Sequence, residues 1–150
     1  MSDVKLIGIA LRSESRAEME ERQQIMITTA AGLAGDFRGS HDKRQVTVLS
    51  LAAWQAACDE LGQSIPWTVR RANLLVAGVG DLQNSVGTVL CIGDVKLQIT
   101  GETDPCPRMD EQVQGLSQAL EPNWRGGVCC AVLRGGAVQV GDAVELSLSD

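Results

Sequence analysis

The stretch Thr88–Thr100, with the sequence TVLCIGDVKLQIT, contains two short apolar runs joined by Gly93-Asp94. In its second half, Val95, Leu97 and Ile99 alternate with polar side chains, which is typical of a strand with one buried and one solvated face. A two-residue connection that contains glycine readily adopts the positive φ angles of a tight turn. The stretch therefore predicts a β-hairpin.

Similar short apolar runs, separated by glycines, recur along the chain and predict a mainly β fold with the character of a β-barrel. A second glycine pair, Gly135-Gly136, predicts another hairpin, between the strands Val128–Leu133 and Ala137–Val140. The predicted strands are Val4–Ala10, Ile25–Thr29, Val46–Leu49, Asn73–Ala77, Thr88–Ile92, Val95–Thr100, Val128–Leu133, Ala137–Val140 and Ala143–Leu148.

A few short helices are predicted among these strands. Ser50 is suited to cap a helix that begins at Leu51, has its apolar residues on one face and ends at Gly62. A weaker helix is predicted over Gln112–Leu120. The segment Ser13–Arg22 lacks an apolar stripe and is predicted to be a solvated loop or a marginal helix.

Composition bounds the class of protein. The chain has 150 residues, which predicts a single domain over 1–150, and its net charge of −6 and aromatic content of 3% argue against a nucleic-acid binder. One histidine excludes metal sites that need two. No signal peptide or membrane span is predicted, and five cysteines without a disulfide pattern favour the reducing cytoplasm.

Cys106 differs from the other cysteines because it lies between Pro105 and Pro107. Each proline restricts the backbone, so this cysteine is predicted on a stiff loop after a strand. Arg108 is close enough in sequence to favour the thiolate, the form that attacks an electrophile or binds a metal. The alternative is a loop cysteine without a role, beside a solvated arginine.

The remaining four cysteines are predicted to pack in the core. Cys58 lies on the apolar face of the predicted helix, and Cys91 lies within a hairpin strand. Cys129 and Cys130 are adjacent in a strand and therefore point to opposite faces. A disulfide between these two neighbours would be strained.

Positive charge is concentrated before two of the predicted strands. Lys43-Arg44 precedes Val46–Leu49, and Arg70-Arg71 precedes Asn73–Ala77. Arginines that meet at one rim would suit a phosphate, and Gln45 and Asn73 would add amide groups. The alternative is ordinary solvated charge at strand ends.

The order of these motifs resembles that of the MOSC domain, which is named for the C-terminal part of molybdenum cofactor sulfurases. The resemblance covers Val4 to Leu148. It is carried by Gly32–Asp36, Lys43–Leu49, Arg70–Val76, Ile92–Val95, Pro105–Met109, Arg125–Val128 and Gly136–Asp142.

The resemblance implies a β-barrel domain that binds the molybdenum cofactor, a pterin with a phosphate and a metal-binding dithiolene. It implies that Cys106 is the molybdenum ligand or a persulfide carrier. It further implies that Arg44-Gln45 and Arg71-Ala72-Asn73 bind the phosphate and pterin edge. Asp36 matches the Gly-Asp turn of the family, and Arg108 stands beside the cysteine as a further cofactor contact.

Three functions follow from the resemblance. The first is a reductase of N-hydroxylated or N-oxygenated small molecules, with Cys106 on the metal. The second is a sulfur carrier that accepts sulfur on Cys106 from a cysteine desulfurase, and the third is a binding module without catalysis. Pyridoxal phosphate is not expected, because nothing in the chain corresponds to the desulfurase part of the sulfurases. Oligomerisation is left open.

Overall fold

The computed structural model describes residues 4–14, 17–37, 39, 44–80, 82–103 and 107–147, without the side chains of Pro107 and Arg108. The strands are β1 (Lys5–Leu11), β2 (Glu20–Arg22), β3 (Gln24–Thr28), β4 (Gly32–Leu33), β5 (Val46–Ser50), β6 (Leu74–Ala77), β7 (Val89–Ile92), β8 (Val95–Glu102), β9 (Val128–Arg134), β10 (Gly136–Gln139) and β11 (Val144–Ser147). The α-helices are α1 (Leu51–Leu61) and α2 (Leu116–Ala119), and 3₁₀ helices cover Trp67–Arg70, Pro107–Glu111 and Pro122–Trp124.

The strands form two sheets, and the mainly β prediction is confirmed. One sheet has eight strands in the order β11-β7-β8-β9-β5-β6-β1-β2, and the other has three in the order β10-β3-β4. Closing a sheet into a barrel requires a ladder between its two edge strands. Here a bridge between Lys5 and Ala143, together with backbone hydrogen bonds such as that from Leu6 N to Asp142 O, links β1 to the residues before β11, but among the described residues no ladder joins the edge strands β2 and β11. The predicted β-barrel is therefore not confirmed: in the described residues the sheet is not closed.

The hairpin predicted at Gly93-Asp94 is confirmed. Strands β7 and β8 pair from Val89 opposite Gln98 to Ile92 opposite Val95, and Gly93 has a φ of 58°. The hairpin predicted at Gly135-Gly136 is wrong. Strand β10 follows β9 in the chain but pairs with β3 in the other sheet. Neither Gly135 nor Gly136 has a positive φ angle, so they do not form the expected tight turn.

The helix prediction is confirmed for α1. The Ser50 hydroxyl accepts a hydrogen bond from Ala53 N at 3.3 Å, and Gly62 ends the helix at a φ of 65°. The second helix is shorter than predicted because Gly115, at a φ of 85°, starts it only at Leu116.

Part of the predicted loop Ser13–Arg22 is a strand, β2. It pairs with β1, from Ile9 opposite Arg22 to Leu11 opposite Glu20. All three residues of β2 are exposed, so no apolar alternation in the sequence marks it.

The central strands β5 and β6 are buried on both faces. Val48 and Leu74 belong to a core between the sheets, whereas their neighbours Leu49 and Leu75 belong to a second core under α1. Helix α1 connects β5 to β6, which are parallel, and such a pair needs a crossover connection of this kind. No helix in the described part of the chain is long and apolar enough to span a membrane.

Candidate functional site

Three strands bring the sequence-predicted basic motifs to one edge of the large sheet. Strand β6 is parallel to β5, with Val48 opposite Leu74, and antiparallel to β1, with Ile9 opposite Leu74. The end of β1 and the beginnings of β5 and β6 must therefore lie at the same edge. We call this the basic edge and define it by Arg12, Asp36, Arg44, Gln45, Arg71 and Asn73.

Asn73 joins all three strands at the basic edge and is buried. Its Oδ1 accepts from Thr47 N at 3.0 Å and from Thr47 Oγ1 at 3.2 Å. Its Nδ2 donates to Ala10 O at 3.1 Å. The amide therefore hydrogen-bonds within the chain and sets the spacing of the strands from which the arginines extend.

Gln45 has a similar position before β5 and is also buried. Its Nε2 donates to Thr29 O at 2.6 Å and to Gly39 O at 3.2 Å. Its Oε1 accepts from Val132 N at 2.9 Å. This side chain thus ties the turn after β3 and the loop at Gly39 to β9.

Arg71 and Arg44 differ from these two amides in their surroundings. Arg71 ends the 3₁₀ helix Trp67–Arg70 in the left-handed conformation, with a φ of 65°, and its Nη1 donates to Ala17 O at 3.0 Å. That backbone conformation costs a non-glycine residue about 1–2 kcal/mol. Arg44 is exposed directly before β5. The Arg44 guanidinium is therefore accessible to a ligand.

Asp36 holds the end of β1. Its Oδ1 accepts from Arg12 N at 3.3 Å, while Phe37 N donates to Arg12 O at 2.7 Å. The Arg12 guanidinium lies 5.7 Å from the centre of the Phe37 ring, within the range of a cation–π contact. Asp36 thereby brings a third arginine to the basic edge.

The donor set of the basic edge fits a phosphate. Three of its six residues are arginines and one is an aspartate, although the chain as a whole has a net charge of −6. Arginine forks bind phosphate oxygens in bidentate fashion. Arg38, Lys43 and His41, which flank this edge in sequence, lie outside the described residues.

Cys106, together with Asp104 and Pro105, lies outside the described residues, as does the side chain of Arg108. The flanks of this segment are described. Thr103 is buried at the end of β8, and Met109 is buried in the following 3₁₀ helix. The side chain of Arg70 contacts both Thr103 and Met109. The sequence did not predict this role, because a pair of arginines before a strand does not show which of the two is buried.

The four described cysteines are free thiols, and Cys58, Cys129 and Cys130 are buried, as predicted for core residues. Complete burial raises the pKa of Cys130, since desolvation disfavours the thiolate, and the adjacent Cys129 adds to the rise. The Cys129 Sγ lies 3.2 Å from Thr103 Oγ1. Cys91 is half-buried on β7.

No group of three or more His, Cys, Asp or Glu side chains suited to a metal ion occurs among the described residues. An open groove of about 400 Å³ lies between α1 and α2. Glu60 and Glu121 line it, so its charge does not suit a phosphate. Within the part of the chain that the structure describes, the basic edge and the flanks of Cys106 are the regions on which we base a functional hypothesis.

The family model of the MOSC domain matches residues 35–145, which include most of this architecture. The chain belongs to the MOSC family. The MOSC domain described here is similar in structure to the YuaD protein from Bacillus subtilis, with a TM-score of 0.84 and 20% identity over 98% of this chain and 97% of that one.

Two further solved structures are similar to this MOSC domain. YiiM from Geobacillus stearothermophilus has a TM-score of 0.74 and 12% identity, over 96% of this chain and 75% of that one. YiiM from Escherichia coli has a TM-score of 0.73 and 14% identity, over 97% of this chain and 71% of that one. These likenesses show a shared fold. No curated protein sequence matches the chain.

Proposed function

We propose that this MOSC domain binds the molybdenum cofactor and reduces N-hydroxylated or N-oxygenated small molecules, with Cys106 as the protein ligand of the metal. The observation that carries the proposal is the convergence of Arg12, Arg44 and Arg71 at the basic edge of an otherwise acidic chain. MOSC domains are associated with this cofactor, and its phosphate is the anion that such an edge suits.

In this proposal the residues of the basic edge have two roles. Arg44 and Arg71 bind the phosphate and the polar edge of the pterin, and the exposed Arg44 makes the more direct contact. Gln45 and Asn73 hold the strands from which these arginines extend, because their amides already hydrogen-bond to backbone groups. Asp36 keeps Arg12 at the edge through its backbone bond.

The metal end of the proposal rests on Cys106 and on Arg108 beside it. Molybdenum binds soft thiolate ligands well, and the arginine favours the thiolate form of its neighbour. Burial of Cys58, Cys129 and Cys130 leaves these thiols unsuited to the role. The cofactor, when bound, supplies the two-electron redox chemistry, and the chain supplies the anion site and the thiolate.

A sulfur carrier is the second candidate, favoured by Arg108 near Cys106 in the sequence, because a cation there would keep the thiol in its nucleophilic thiolate form. The Cys106 thiolate would attack the terminal sulfur of a persulfide on a cysteine desulfurase. A new S–S bond forms on Cys106, the S–S bond of the donor breaks, and the thiolate of the donor leaves. This step needs no oxidant, since the donor persulfide already carries the oxidised sulfur.

Molybdenum content tests the proposal directly. The wild-type chain, purified from cells that make the cofactor, is expected to carry about one molybdenum atom per chain, with Cys106 as the one protein ligand. Cys106→Ser should lose most of it. Arg44→Ala should lower the molybdenum content about tenfold or more, since a hydrogen bond to a charged group contributes about 1.5–3 kcal/mol. Lys96→Ala, which removes an exposed cation on β8, is the matched control.

The same preparations separate the candidate functions. Wild-type protein free of molybdenum overturns the reductase proposal, and one added sulfur on Cys106 after incubation with a desulfurase and cysteine then favours the carrier. If Cys106→Ala retains as much cofactor as the wild type and Arg44→Ala loses it, the result indicates a binding module without catalysis. Added sulfur on Cys91 instead of Cys106 contradicts the carrier.

A further inference from the structure

Phe37 is an exposed aromatic residue beside the basic edge, and 44% of its surface is accessible. The other three aromatic residues of the sequence are tryptophans that are buried or half-buried: Trp54, Trp67 and Trp124. A single exposed apolar side chain is ordinary on a protein surface. The place of Phe37 distinguishes it, because a phenyl ring there can contact the same ligand as the arginines.

The backbone of Phe37 is held against the end of β1. Phe37 N donates to Arg12 O at 2.7 Å, and Oδ1 of the preceding Asp36 accepts from Arg12 N at 3.3 Å. The Arg12 guanidinium lies 5.7 Å from the centre of the phenyl ring. Asp36 N also donates at 3.0 Å to the carbonyl of Leu33, which is completely buried. The ring is therefore presented from an anchored turn, which lowers the entropy lost when it binds a ligand.

The same turn brings Phe37 close to Arg44. Gly39, two residues after Phe37, is buried, and its carbonyl accepts from Gln45 Nε2 at 3.2 Å. A Cβ on Gly32 would lie 2.7 Å from Gln45 O and 2.9 Å from Gly39 Cα, so these backbone segments are tightly packed. Because two residues span at most about 7 Å, Phe37 lies near the start of β5, from which Arg44 extends, as well as beside the end of β1.

A phenyl ring among arginines can bind two parts of one ligand. The flat face of a heteroaromatic ring stacks on a phenyl ring and on a planar guanidinium alike, while a phosphate on the same molecule binds the arginine forks. We propose that Phe37, with the Arg12 guanidinium, is the stacking surface for the planar heterocycle of a phosphate-bearing ligand at the basic edge. This deepens the proposed function and rests on it in taking the basic edge as a phosphate site, since the pterin of the cofactor is such a heterocycle.

The composition of the chain limits this ligand to a small molecule. Proteins that bind single-stranded nucleic acids use positively charged grooves in which several aromatic residues stack successive bases. Here one exposed phenyl ring lies beside the basic edge of a chain whose net charge is −6. One ring and a few arginines match one heterocycle with one phosphate.

Calorimetric titration with guanosine 5′-monophosphate (GMP) and with ribose 5-phosphate tests the proposal. GMP carries a bicyclic heterocycle on a sugar phosphate, and ribose 5-phosphate lacks the heterocycle. The chain is produced in cells that do not make the molybdenum cofactor, so that the cofactor does not compete. Phe37→Leu keeps an apolar side chain without a ring, and Phe37→Trp keeps a ring. Val86→Leu, at an exposed apolar position between β6 and β7, is the matched control.

Wild-type protein is expected to bind GMP about tenfold more tightly than ribose 5-phosphate, a gain within the range for stacking of one base on an aromatic ring. Phe37→Leu should remove most of this preference by weakening GMP binding, while ribose 5-phosphate binding changes far less. Phe37→Trp should retain the preference, and Val86→Leu should match the wild type. Because salt screens the phosphate contacts and not the stacking, added salt should weaken binding of both compounds and leave the ratio of their affinities unchanged.

Wild-type protein that binds neither compound, or both equally, overturns the proposal, as does a GMP preference that Phe37→Leu leaves unchanged. An equal loss for both compounds in Phe37→Leu also overturns it, because the ring would then only hold Arg12 in place. The result is separate from the proposed function, because molybdenum content does not enter it. A chain that carries no molybdenum in cells that make the cofactor, but whose GMP preference depends on Phe37, contradicts the reductase and supports the stacking surface.

Discussion

Asn73 and Thr47 hydrogen-bond reciprocally across the one parallel strand pair of the described sheets. Thr47 N donates to Asn73 Oδ1 at 3.0 Å, and Asn73 N donates to Thr47 Oγ1 at 3.0 Å. Since the slanted bonds of a parallel pair are slightly less stable per residue, these side-chain bonds reinforce β5 and β6 where they begin. The basic edge depends on that reinforcement.

Asn73→Ala is expected to lower the free energy of unfolding by about 1–3 kcal/mol, because it removes the side-chain partners of the buried Ala10 carbonyl and the half-buried Thr47 N–H. Urea denaturation measures the loss. Thr47→Val and the double variant complete a double-mutant cycle, in which coupling of about 0.5 kcal/mol or more is expected for directly bonded residues. Strictly additive effects would contradict the direct side-chain bond from Thr47 Oγ1 to Asn73 Oδ1.

Gln45→Glu is expected to destabilise the fold by at least about 2 kcal/mol, because it places a carboxylate against the carbonyl oxygens of Thr29 and Gly39. Gln63→Glu makes the same chemical change at an exposed position after α1 and should have little effect. Thermal or urea unfolding of both variants checks this. Equal stability of the two would mean that the Gln45 amide is not committed to those carbonyls.

Gly127→Ala is expected to be far more damaging than Gly62→Ala, although both glycines have positive φ angles. At Gly62, with a φ of 65°, no atom lies within 4 Å of an added Cβ, so the cost is the conformational one of about 1–2 kcal/mol. At Gly127, with a φ of 98°, the Cβ would lie 2.4 Å from Val48 O. The loss there should be about 3 kcal/mol or more.

Urea unfolding of the two glycine variants gives this comparison. Soluble expression of Gly127→Ala at wild-type stability would show that β5 can move away from the loop before β9. Because both glycines have positive φ angles, the comparison with Gly62→Ala shows how much more the close approach to Val48 costs.

The stability contributed by Asp110 is expected to depend on pH. Hydrogen bonds from the Ser117 hydroxyl, and then from its backbone N–H, hold the pKa of Asp110 below its usual value of 3.8. Because the folded pKa is the lower one, the stabilisation is present above about pH 4 and is lost as the pH falls toward the folded pKa.

Urea unfolding of the wild type and Asp110→Asn at several pH values measures this dependence. The difference between them should be largest above about pH 5 and should shrink in more acidic solution. Ser117→Ala, which removes the main donor, should weaken the same pH dependence. A wild-type advantage that stays constant across this range would contradict the assignment.

Local patterns in the sequence were sufficient for the elements that depend on neighbours along the chain. The alternation in Val95–Thr100 and the turn at Gly93 predicted the β7–β8 hairpin, and Ser50 and Gly62 predicted the ends of α1. The strand β2 escaped prediction because its three residues are all exposed, so its pairing with β1 leaves no trace in hydrophobicity.

The failed hairpin at Gly135-Gly136 has a different cause. Gly135 approaches Ile27 O so closely that a Cβ would lie 2.5 Å from it. A glycine needed for close approach to a distant strand looks, in sequence, the same as one needed for a turn. At these glycines the chain passes from the eight-stranded sheet to the three-stranded one, because β10 pairs with β3 rather than with β9.

By itself, the sequence determined the mainly β character of the fold, the helix α1 and the basic motifs before two strands, since propensity and periodicity are local properties. Only the tertiary structure decided that these motifs share one edge, because the parallel pairing of β5 and β6 depends on a crossover through α1. It also decided that Gln45 and Asn73 bond inward and that Arg70, not Arg71, reaches both flanks of Cys106. Burial and hydrogen-bond partners depend on residues far apart in the chain, so no local pattern carries them.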